Sequence, residues 1–396
     1  MYPTLYHAFL DLFGWELAPL KLVNSFGFFV AVAFVVASAV LKREMQRLTA
    51  LGHFQSKSET VVVGEGPHWM DLASQGIMGF LLGWKVLYLV VHASTLFDGT
   101  TTPQRFLFSG DGNVVWGVIG AAALVAWRYW EVRRDMLPEP KEVSNDVQPW
   151  EFVGGITAVA AVGGIAGAKL FHLLENPDEL VAFFTAPSLN AFLGGLTIYG
   201  GLIVGGLSVY LYARSKGLNF IRLADATAPG LLLAYGIGRL GCQISGDGDW
   251  GIPNLAPKPT WLSWAPDWIW SYAYPNNVNK WGKMMNPATS PWDAFPGYST
   301  YLDPMVFPTP IYETTLSMLG FGLLWAMRRR WNAPGKLFSA YLMFNGVERF
   351  WVEKIRVNNT FDMLGITMTQ AELISVVVFV SGVVLWRWTS KRQGTH

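Results

Sequence analysis

Two arginines of this chain lie in apolar segments, where a charged side chain is costly. Arg239 lies near the end of one apolar run, and Arg349 lies in another, four residues before Glu353 and therefore on the same helical face. A charge at the centre of a membrane-spanning helix costs roughly 2.5–3.5 kcal/mol, so such residues normally face a cavity and a partner. Guanidinium groups bind phosphate oxygens in a bidentate manner. The pair therefore predicts an anion site, and a phospholipid headgroup is its natural ligand.

Further charged residues accompany these arginines in the apolar runs. They are Asp225, Glu313 and Arg356, together with the more isolated Lys85 and Lys169. For the two lysines, snorkelling or a structural ion pair explains the position at least as well as a functional role. For the arginines, the alternative to a ligand site is an Arg–Glu network that only holds helices together.

The stretch GRLGCQISGDGDWG, residues 238–251, combines an arginine with two aspartates, five glycines and the only cysteine. Backbone N–H groups of a glycine-rich turn can approach an anion, which makes Gly238 and Gly251 candidates for the same site. Asp247 and Asp249 either act on the substrate or brace the turn.

Several common functions are excluded by the sequence. The GIGRLG segment matches a dinucleotide-binding glycine pattern, but no predicted strand precedes it and no βαβ unit surrounds it. The six histidines are scattered, and neither H-E-x-x-H nor paired cysteines occur, so we expect no metal and no other cofactor. Cys242 cannot form an internal disulfide, and it is more simply a small buried residue than a nucleophile.

The composition is typical of a polytopic membrane protein. Hydrophobic residues make up 52% of the 396, charged residues only 14%, and the mean hydropathy is +0.29. The formal net charge of +1 gives no reason to expect a nucleic-acid partner. The N-terminal residues lack a basic region and a small-residue cleavage site, so we treat them as mature sequence.

About nine apolar stretches approach the length of roughly 20 residues needed to cross about 30 Å of hydrocarbon. Basic residues follow alternate ends of these stretches, so the positive-inside rule predicts the N-terminus outside and the C-terminus inside. The predicted fold class is therefore an all-α polytopic membrane protein. The predicted spans are 24–41, 74–95, 113–130, 151–172, 193–213, 224–245, 311–328, 336–353 and 370–388.

We expect three parts of the chain. The parts are 1–47, a first transmembrane helix region; 48–150, an insertion with two predicted transmembrane helices; and 151–396, a membrane core that includes an extracytoplasmic cap. The cap, residues 246–308, is rich in Trp, Tyr, Pro and Asn, which suits an ordered segment, either an aromatic belt at the membrane interface or a lid that shapes the site.

Glycines four apart in the apolar stretches predict close helix packing. Examples are Gly163 with Gly167 and Gly201 with Gly205.

An ordered set of motifs resembles the prolipoprotein diacylglyceryl transferase family. GRLGCQISGDGDWG resembles the family's G-R-x-G-N-F-x-N-G-E-x-W/Y-G, FPTPIYE resembles H-P-x-x-x-Y-E, and RFWVEKIR resembles R-x-x-V-E-x-x-R. GGIAGAKLF and YGGLIVGGLSVY are similar to G-G-x-x-G-x-R-L and H-G-G-L-x-G. In order and spacing the resemblance covers most of 151–388, and 21–47 resembles the family's first helix.

The chain departs from the family pattern at several motif positions. One residue is inserted between Gly246 and Trp250, so the family's acidic residue corresponds to Asp247 or Asp249. Residues 48–150 have no counterpart in the family core that we identify. The substituted positions are Cys242 for Asn, Tyr199 for His, Lys169 for Arg and Phe307 for His.

The resemblance implies an enzyme of the bacterial cytoplasmic (inner) membrane. It would transfer the diacylglyceryl group of phosphatidylglycerol to the lipobox cysteine in the signal peptide of a preprolipoprotein and release glycerol phosphate. Phosphatidylglycerol, preprolipoprotein signal peptides and the lipid bilayer are thus the implied partners. Two alternatives from other classes are a lipid transporter or scramblase that uses the same phosphate site, and a non-catalytic member. A transferase with a different acceptor is also open.

The resemblance also implies residue roles. Arg239 and Arg349 would stabilise the leaving phosphate, and Glu353 would orient Arg349. Tyr199 stands at the family's histidine, and because a phenol with an ordinary pKa near about 10 is a poor base, Asp247 or Asp249 is the alternative base. The implied substrate-binding residues are Gly238, Gly251, Gly200, Gly201, Glu313, Arg356, Asp225 and Lys169.

Overall fold

A computed structural model of the chain describes residues 1–91, 111–185, 195, 197–286, 288–358, 360–363 and 366–393. Most of these residues are helical. The helices are α1 (Leu5–Phe13), α2 (Ser25–Ala50), α3 (Trp69–Leu82), α4 (Tyr88–Val91), α5 (Val114–Arg134), α6 (Val153–Glu175), α7 (Pro177–Thr185), α8 (Ile198–Ser215), α9 (Phe220–Ser245), α10 (Thr309–Met327), α11 (Lys336–Glu353) and α12 (Gln370–Gln393).

Three short two-stranded antiparallel sheets lie among the helices, and the sequence patterns predict none of them. They lie in connections between helices, where two extended segments satisfy each other's backbone groups. The sheets are β1 (Lys57–Val63) with β2 (Lys141–Val147), β3 (Lys283–Met284) with β4 (Thr300–Tyr301), and β5 (Thr360–Met363) with β6 (Ile366–Thr369).

Each of the nine predicted spans contains a helix, although parts of 74–95 and 193–213 lie outside the described residues. Five helical stretches within the described residues are long and apolar enough to cross a membrane: Ser25–Ala50, Trp69–Val91, Pro149–Glu175, Phe220–Ser245 and Gln370–Lys391. The helices in the other four predicted spans, α5, α8, α10 and α11, do not reach the same combination of length and apolar character within the described residues. Nine crossings and the direction of insertion thus stay predictions.

The described residues divide into two compact units. The first comprises Met1–Phe54, Phe152–Ala158 and Val209–His396, and the second comprises Gln55–Glu151 and Val159–Ser208. The second unit contains most of the predicted insertion 48–150 together with most of α6 and the first half of α8.

Helix α9 packs against several helices of the first unit. Its neighbours include α2 and α10, and α11 packs against α12. A side chain at Gly241 would place its Cβ 2.8 Å from Phe29 Cβ, so glycine there permits the close approach of α9 and α2. Ala228 and Leu232 of α9 form a buried core with Leu324 of α10 and Leu337 of α11.

Asp225 joins α9 to the start of α11. Its Oδ2 accepts a hydrogen bond from the Gly335 backbone N–H at 2.6 Å, and its Oδ1 accepts one from Phe338 N–H at 2.9 Å. The first N–H groups of a helix have no partner within that helix, so this carboxylate caps α11 from a different helix.

Described residues of the predicted cap, 246–308, contact the C-terminal end of α9. Trp250, Tyr274 and Val306 make a buried cluster, and the Tyr274 hydroxyl donates to Gln243 Oε1 of α9 at 2.6 Å. Other cap aromatics, including Trp261 and Trp264, are exposed. The cap therefore has an inner aromatic core and a separate set of outward-facing rings, and its extracytoplasmic position stays a prediction.

Glycine pairs bring helices together within the second unit. A Cβ at Gly163 would lie 2.8 Å from Ser208 Cβ, and one at Gly201 would lie 3.1 Å from the Gly164 carbonyl oxygen. This is the close α6–α8 packing that the four-residue spacing predicts. Lys85 is buried, donates to the Asp111 carbonyl at 2.6 Å and lies over the Trp84 ring, which supports the structural interpretation of this lysine.

The cross-helix cap makes a testable prediction. Asp225→Ala should lower the free energy of unfolding by about 1–3 kcal/mol, because it leaves buried N–H groups of α11 without an acceptor. Thermal unfolding of the detergent-solubilised protein measures the effect. Asp267→Ala is the matched control, since Asp267 is 96% exposed and its only ion pair among the described residues is with Lys258. Equal unfolding temperatures for Asp225→Ala and the unmodified chain would contradict the capping role.

Candidate active site

Three arginines converge on the buried carboxylate of Glu313. Arg239 Nε lies 3.3 Å from Glu313 Oε2, Arg349 Nη1 lies 3.3 Å from Oε1, and Arg356 Nη1 lies 3.6 Å from Oε2. The side chain of Glu313 has no exposure, while those of the arginines are 12%, 24% and 12% exposed, respectively. The structure thus brings together four residues from α9, α10, α11 and the turn after α11.

Asp249 forms a second bridge between two of these arginines. Its Oδ2 pairs with Arg239 Nη1, and its Oδ1 accepts a hydrogen bond from Arg356 Nη2 at 2.6 Å. The Asp249 side chain is 33% exposed, the most accessible member of the group. A carboxylate with two oxygens on two guanidinium groups occupies the position that an anionic ligand would take.

Two further pairs complete the network. Glu353 Oε2 lies 2.9 Å from Arg349 Nη2, as the four-residue spacing predicts. The Tyr235 hydroxyl donates to Glu313 Oε1 at 2.7 Å, and the Arg239 guanidinium lies 5.1 Å from the centre of the Tyr235 ring. Tyr235 is not among the site residues predicted from the sequence, although its position four residues before Arg239 places both on one face of α9.

The polypeptide backbone holds Asp249 and Arg356 next to each other. The Gly251 N–H donates to the Phe307 carbonyl at 2.8 Å, and Gly251 also forms an isolated β-bridge with Arg356. A Cβ at Gly251 would lie 2.9 Å from Phe307 Cβ, so a larger residue would clash at this position. The Thr309 hydroxyl donates to the Asp249 carbonyl at 2.7 Å. At Gly238, by contrast, a Cβ would meet no atom of the described residues within 4 Å.

The charges of the network balance. Three guanidinium groups face the carboxylates of Glu313, Glu353 and Asp249, and none of the three arginines lacks an ion pair. Arg356 nevertheless has Nε and Nη1 atoms that are buried without a hydrogen-bond partner in the described part of the chain. An incoming anion would therefore compete with a carboxylate, and Asp249 is the exposed one.

The two aspartates of the turn differ in proton affinity. Burial opposes ionisation of Asp249, but the nearby Arg239 and Arg356 charges outweigh it and lower the pKa to about 2. Burial raises the pKa of Asp247, and the Asp249 charge raises it further. Because a general base works best with a pKa near the working pH, Asp247 is the better candidate of the two.

Cys242 lies beside these aspartates. Its thiol donates to Asp249 Oδ2 at 3.4 Å, and its side chain is buried, as expected for a small core residue. Among the described residues, ligand atoms of Cys242, Asp247 and Asp249 lie within 4.8 Å of one another, a spacing compatible with a metal ion. Both Asp249 oxygens already bind guanidinium groups, so these atoms form a hydrogen-bonded cluster.

The remaining predicted site residues belong to α6, to α8 and to the N-terminal part of α9. Tyr199, Gly200 and Gly201 begin α8 and Lys169 lies on α6, all within the second unit, so their part in the site stays a prediction. Asp225 shares α9 with Arg239, but at 1.5 Å per residue the two lie about 21 Å apart along the helix. Both Asp225 oxygens bind backbone N–H groups.

Comparison with known proteins identifies the family. Residues 115–388 match the family model described as prolipoprotein diacylglyceryl transferase. The chain belongs to this family. The matched range contains every residue of the arginine network, and it begins inside the predicted insertion 48–150.

Curated relatives carry the same name. A phosphatidylglycerol–prolipoprotein diacylglyceryl transferase of Cutibacterium acnes is 31% identical over 244 residues, which are 60% of this chain and 71% of the relative. Proteins of that name from Corynebacterium efficiens and Corynebacterium glutamicum are each 32% identical, over 60% and 62% of this chain and 67% and 72% of their own lengths. The family resemblance predicted from the motifs is thereby confirmed.

The depressed pKa of Asp249 predicts a pH-dependent contribution to stability. Its pKa is about 2 in the folded chain and about 3.9 when unfolded, so its ionised form stabilises the fold above about pH 4 and this stabilisation is lost as the pH falls towards 2. Thermal unfolding should therefore separate the unmodified protein from Asp249→Asn at pH 7 and show a shrinking difference below pH 4. Asp303→Asn, which removes a more exposed ion pair with Lys283, is the control. A difference that stays constant down to pH 2.5 would contradict the assignment.

Proposed function

We propose that this chain transfers the diacylglyceryl group of phosphatidylglycerol to the lipobox cysteine of a preprolipoprotein. The cysteine sulfur forms a bond to the glyceryl carbon while the bond from that carbon to the phosphate oxygen breaks. Glycerol phosphate leaves with the electron pair, and the thiol proton passes to a base. The observation that carries the proposal is the convergence of Arg239, Arg349 and Arg356 in a chain of this family.

The arginine network suits the leaving phosphate. Cations that are already in place where negative charge develops stabilise a transition state without reorganising at the moment of reaction. Glu313 pairs with both Arg239 and Arg349, so neither guanidinium group has to move far to meet the phosphate. The phosphate would displace the Asp249 carboxylate from Arg239 and Arg356 and use the same donors, together with Arg356 Nη1, which makes no hydrogen bond to the described residues.

Asp247 is the proposed base for the incoming thiol. Its raised pKa favours proton acceptance more than that of Asp249, which is tied to two arginines. Tyr199, at the position of the family's histidine, is the alternative, with Gly200, Gly201 and Lys169 of the same unit contributing to substrate binding. Gly238 leaves open space beside α9, in which part of the lipid could lie.

The proposed setting is the bacterial cytoplasmic membrane. The five apolar helical stretches are consistent with a multi-pass protein, and the bilayer would deliver phosphatidylglycerol laterally. The acceptor would be the signal peptide of a preprolipoprotein. One observation also fits the structural alternative: every guanidinium group in the network has a carboxylate partner, as in a network that only holds helices together.

Transfer should depend on the arginines. Arg239→Ala and Arg349→Ala should each lower the rate of transfer by about 100-fold or more, since each removes a charge aimed at the phosphate. The measurement uses purified protein, labelled phosphatidylglycerol and lipobox peptides with and without the cysteine. Lys283→Ala, which removes an exposed lysine, is the control. Full activity of the arginine variants, or modification of the peptide without cysteine, would contradict the proposal.

The base assignment has its own test. Asp247→Asn should lower kcat by about 10²–10⁴-fold with a much smaller change in KM, because it removes proton transfer rather than lipid binding. Asp247→Glu should restore part of the activity. If the Asp247→Asn variant retains kcat while Tyr199→Phe loses it, the base is Tyr199.

A further inference from the structure

A second cluster of arginines surrounds a pocket at the opposite end of α9. Arg47 of α2, Arg222 of α9 and Arg328 at the end of α10 line it, together with the carboxylates of Glu44 and Asp225. The pocket is small and partly open to solvent. None of these residues belongs to the arginine network around Glu313.

One carboxylate in this pocket serves two cations. Glu44 Oε1 lies 2.7 Å from Arg328 Nε, and Glu44 Oε2 lies 2.9 Å from Arg47 Nη2. The Arg328 guanidinium also stacks on the Trp325 ring, 3.5 Å from its centre, which fixes its orientation. Glu44 therefore supplies a single negative charge to two guanidinium groups.

The second carboxylate is already occupied. Both oxygens of Asp225 accept hydrogen bonds from the first turn of α11, so they face backbone N–H groups. Arg222 instead donates through Nη1 to the Asn332 carbonyl at 2.6 Å. Within the described ranges no carboxylate forms an ion pair with Arg222, which leaves most of its five N–H donors free for a ligand.

The charge balance of the pocket is positive. Three arginines against two carboxylates give a formal charge of +1, and one of the carboxylates is directed at the backbone. This differs from the network around Glu313, where each arginine has a carboxylate partner. We propose that the pocket binds a phosphate group through Arg222 and Arg47, supplied either by the headgroup of an anionic lipid or by free phosphate.

Native mass spectrometry of the intact detergent-solubilised protein tests this site. The probes are dioctanoyl phosphatidylglycerol, inorganic phosphate and dioctanoylglycerol, which lacks phosphate. Arg222→Gln should weaken binding of one phosphate-bearing probe molecule by about tenfold or more, because it removes a charge-assisted pair. Arg330→Gln is the matched control, since Arg330 is exposed at the same end of α10 and does not line the pocket.

A second variant distinguishes loss of phosphate binding from misfolding of the Arg222→Gln protein. Asn332→Asp leaves Arg222 in place but adds a negative charge to the pocket wall, and it should weaken the same binding event. Loss of the lipid alone in both variants identifies a headgroup as the source, whereas loss of inorganic phosphate identifies the free ion. Equal binding by Arg222→Gln, Asn332→Asp and Arg330→Gln overturns the proposal, as does equal binding of dioctanoylglycerol to the same pocket. The test does not depend on transferase activity.

Discussion

The candidate site depends on one buried carboxylate. Glu313 has no exposed surface, and an ionised carboxylate in such a position requires opposite charges and hydrogen bonds to compensate its lost hydration. Arg239, Arg349 and Arg356 supply the charges, and Tyr235 supplies a hydrogen bond. Because these residues come from separate elements, satisfying Glu313 fixes α9, α10 and α11 relative to one another. Removing one member would leave a buried charge uncompensated, at a cost of about 3–5 kcal/mol.

This requirement explains why the same residues can serve stability and chemistry. A fixed set of cations around a buried anion cannot collapse when a ligand is absent, so the guanidinium groups stay where the proposed phosphate needs them. Asp249 is the carboxylate that the proposed phosphate would displace, since it is the most exposed of the group and lies on a turn rather than a helix. Arg239 and Arg356 lower the pKa of Asp249 to about 2, and its carboxylate binds the same two guanidinium groups that the proposed phosphate would use.

Helix α9 carries two arginine clusters that differ in their charge balance. Near its C-terminal end, carboxylates match the guanidinium groups, and the proposed phosphate would have to displace one of them. Near its N-terminal end, Glu44 is shared and Asp225 is directed at α11, so Arg222 has no carboxylate partner in the described chain. The same residue types thus give a self-neutralised site at one end and an electropositive pocket at the other.

The sequence by itself located the helices of the nine predicted spans, because a run of apolar residues must bury its length whatever the tertiary arrangement, but it did not locate α1 and α7. It also determined the pairing of Arg349 with Glu353, since residues four apart on a helix share a face. The tertiary structure alone decided that Asp249 bridges Arg239 and Arg356, because that contact joins residues 107 apart through the folded cap. It likewise decided that Gly251 packs between backbones and that Asp225 caps α11. These outcomes depend on which distant segments meet, and no local pattern of residue types records that.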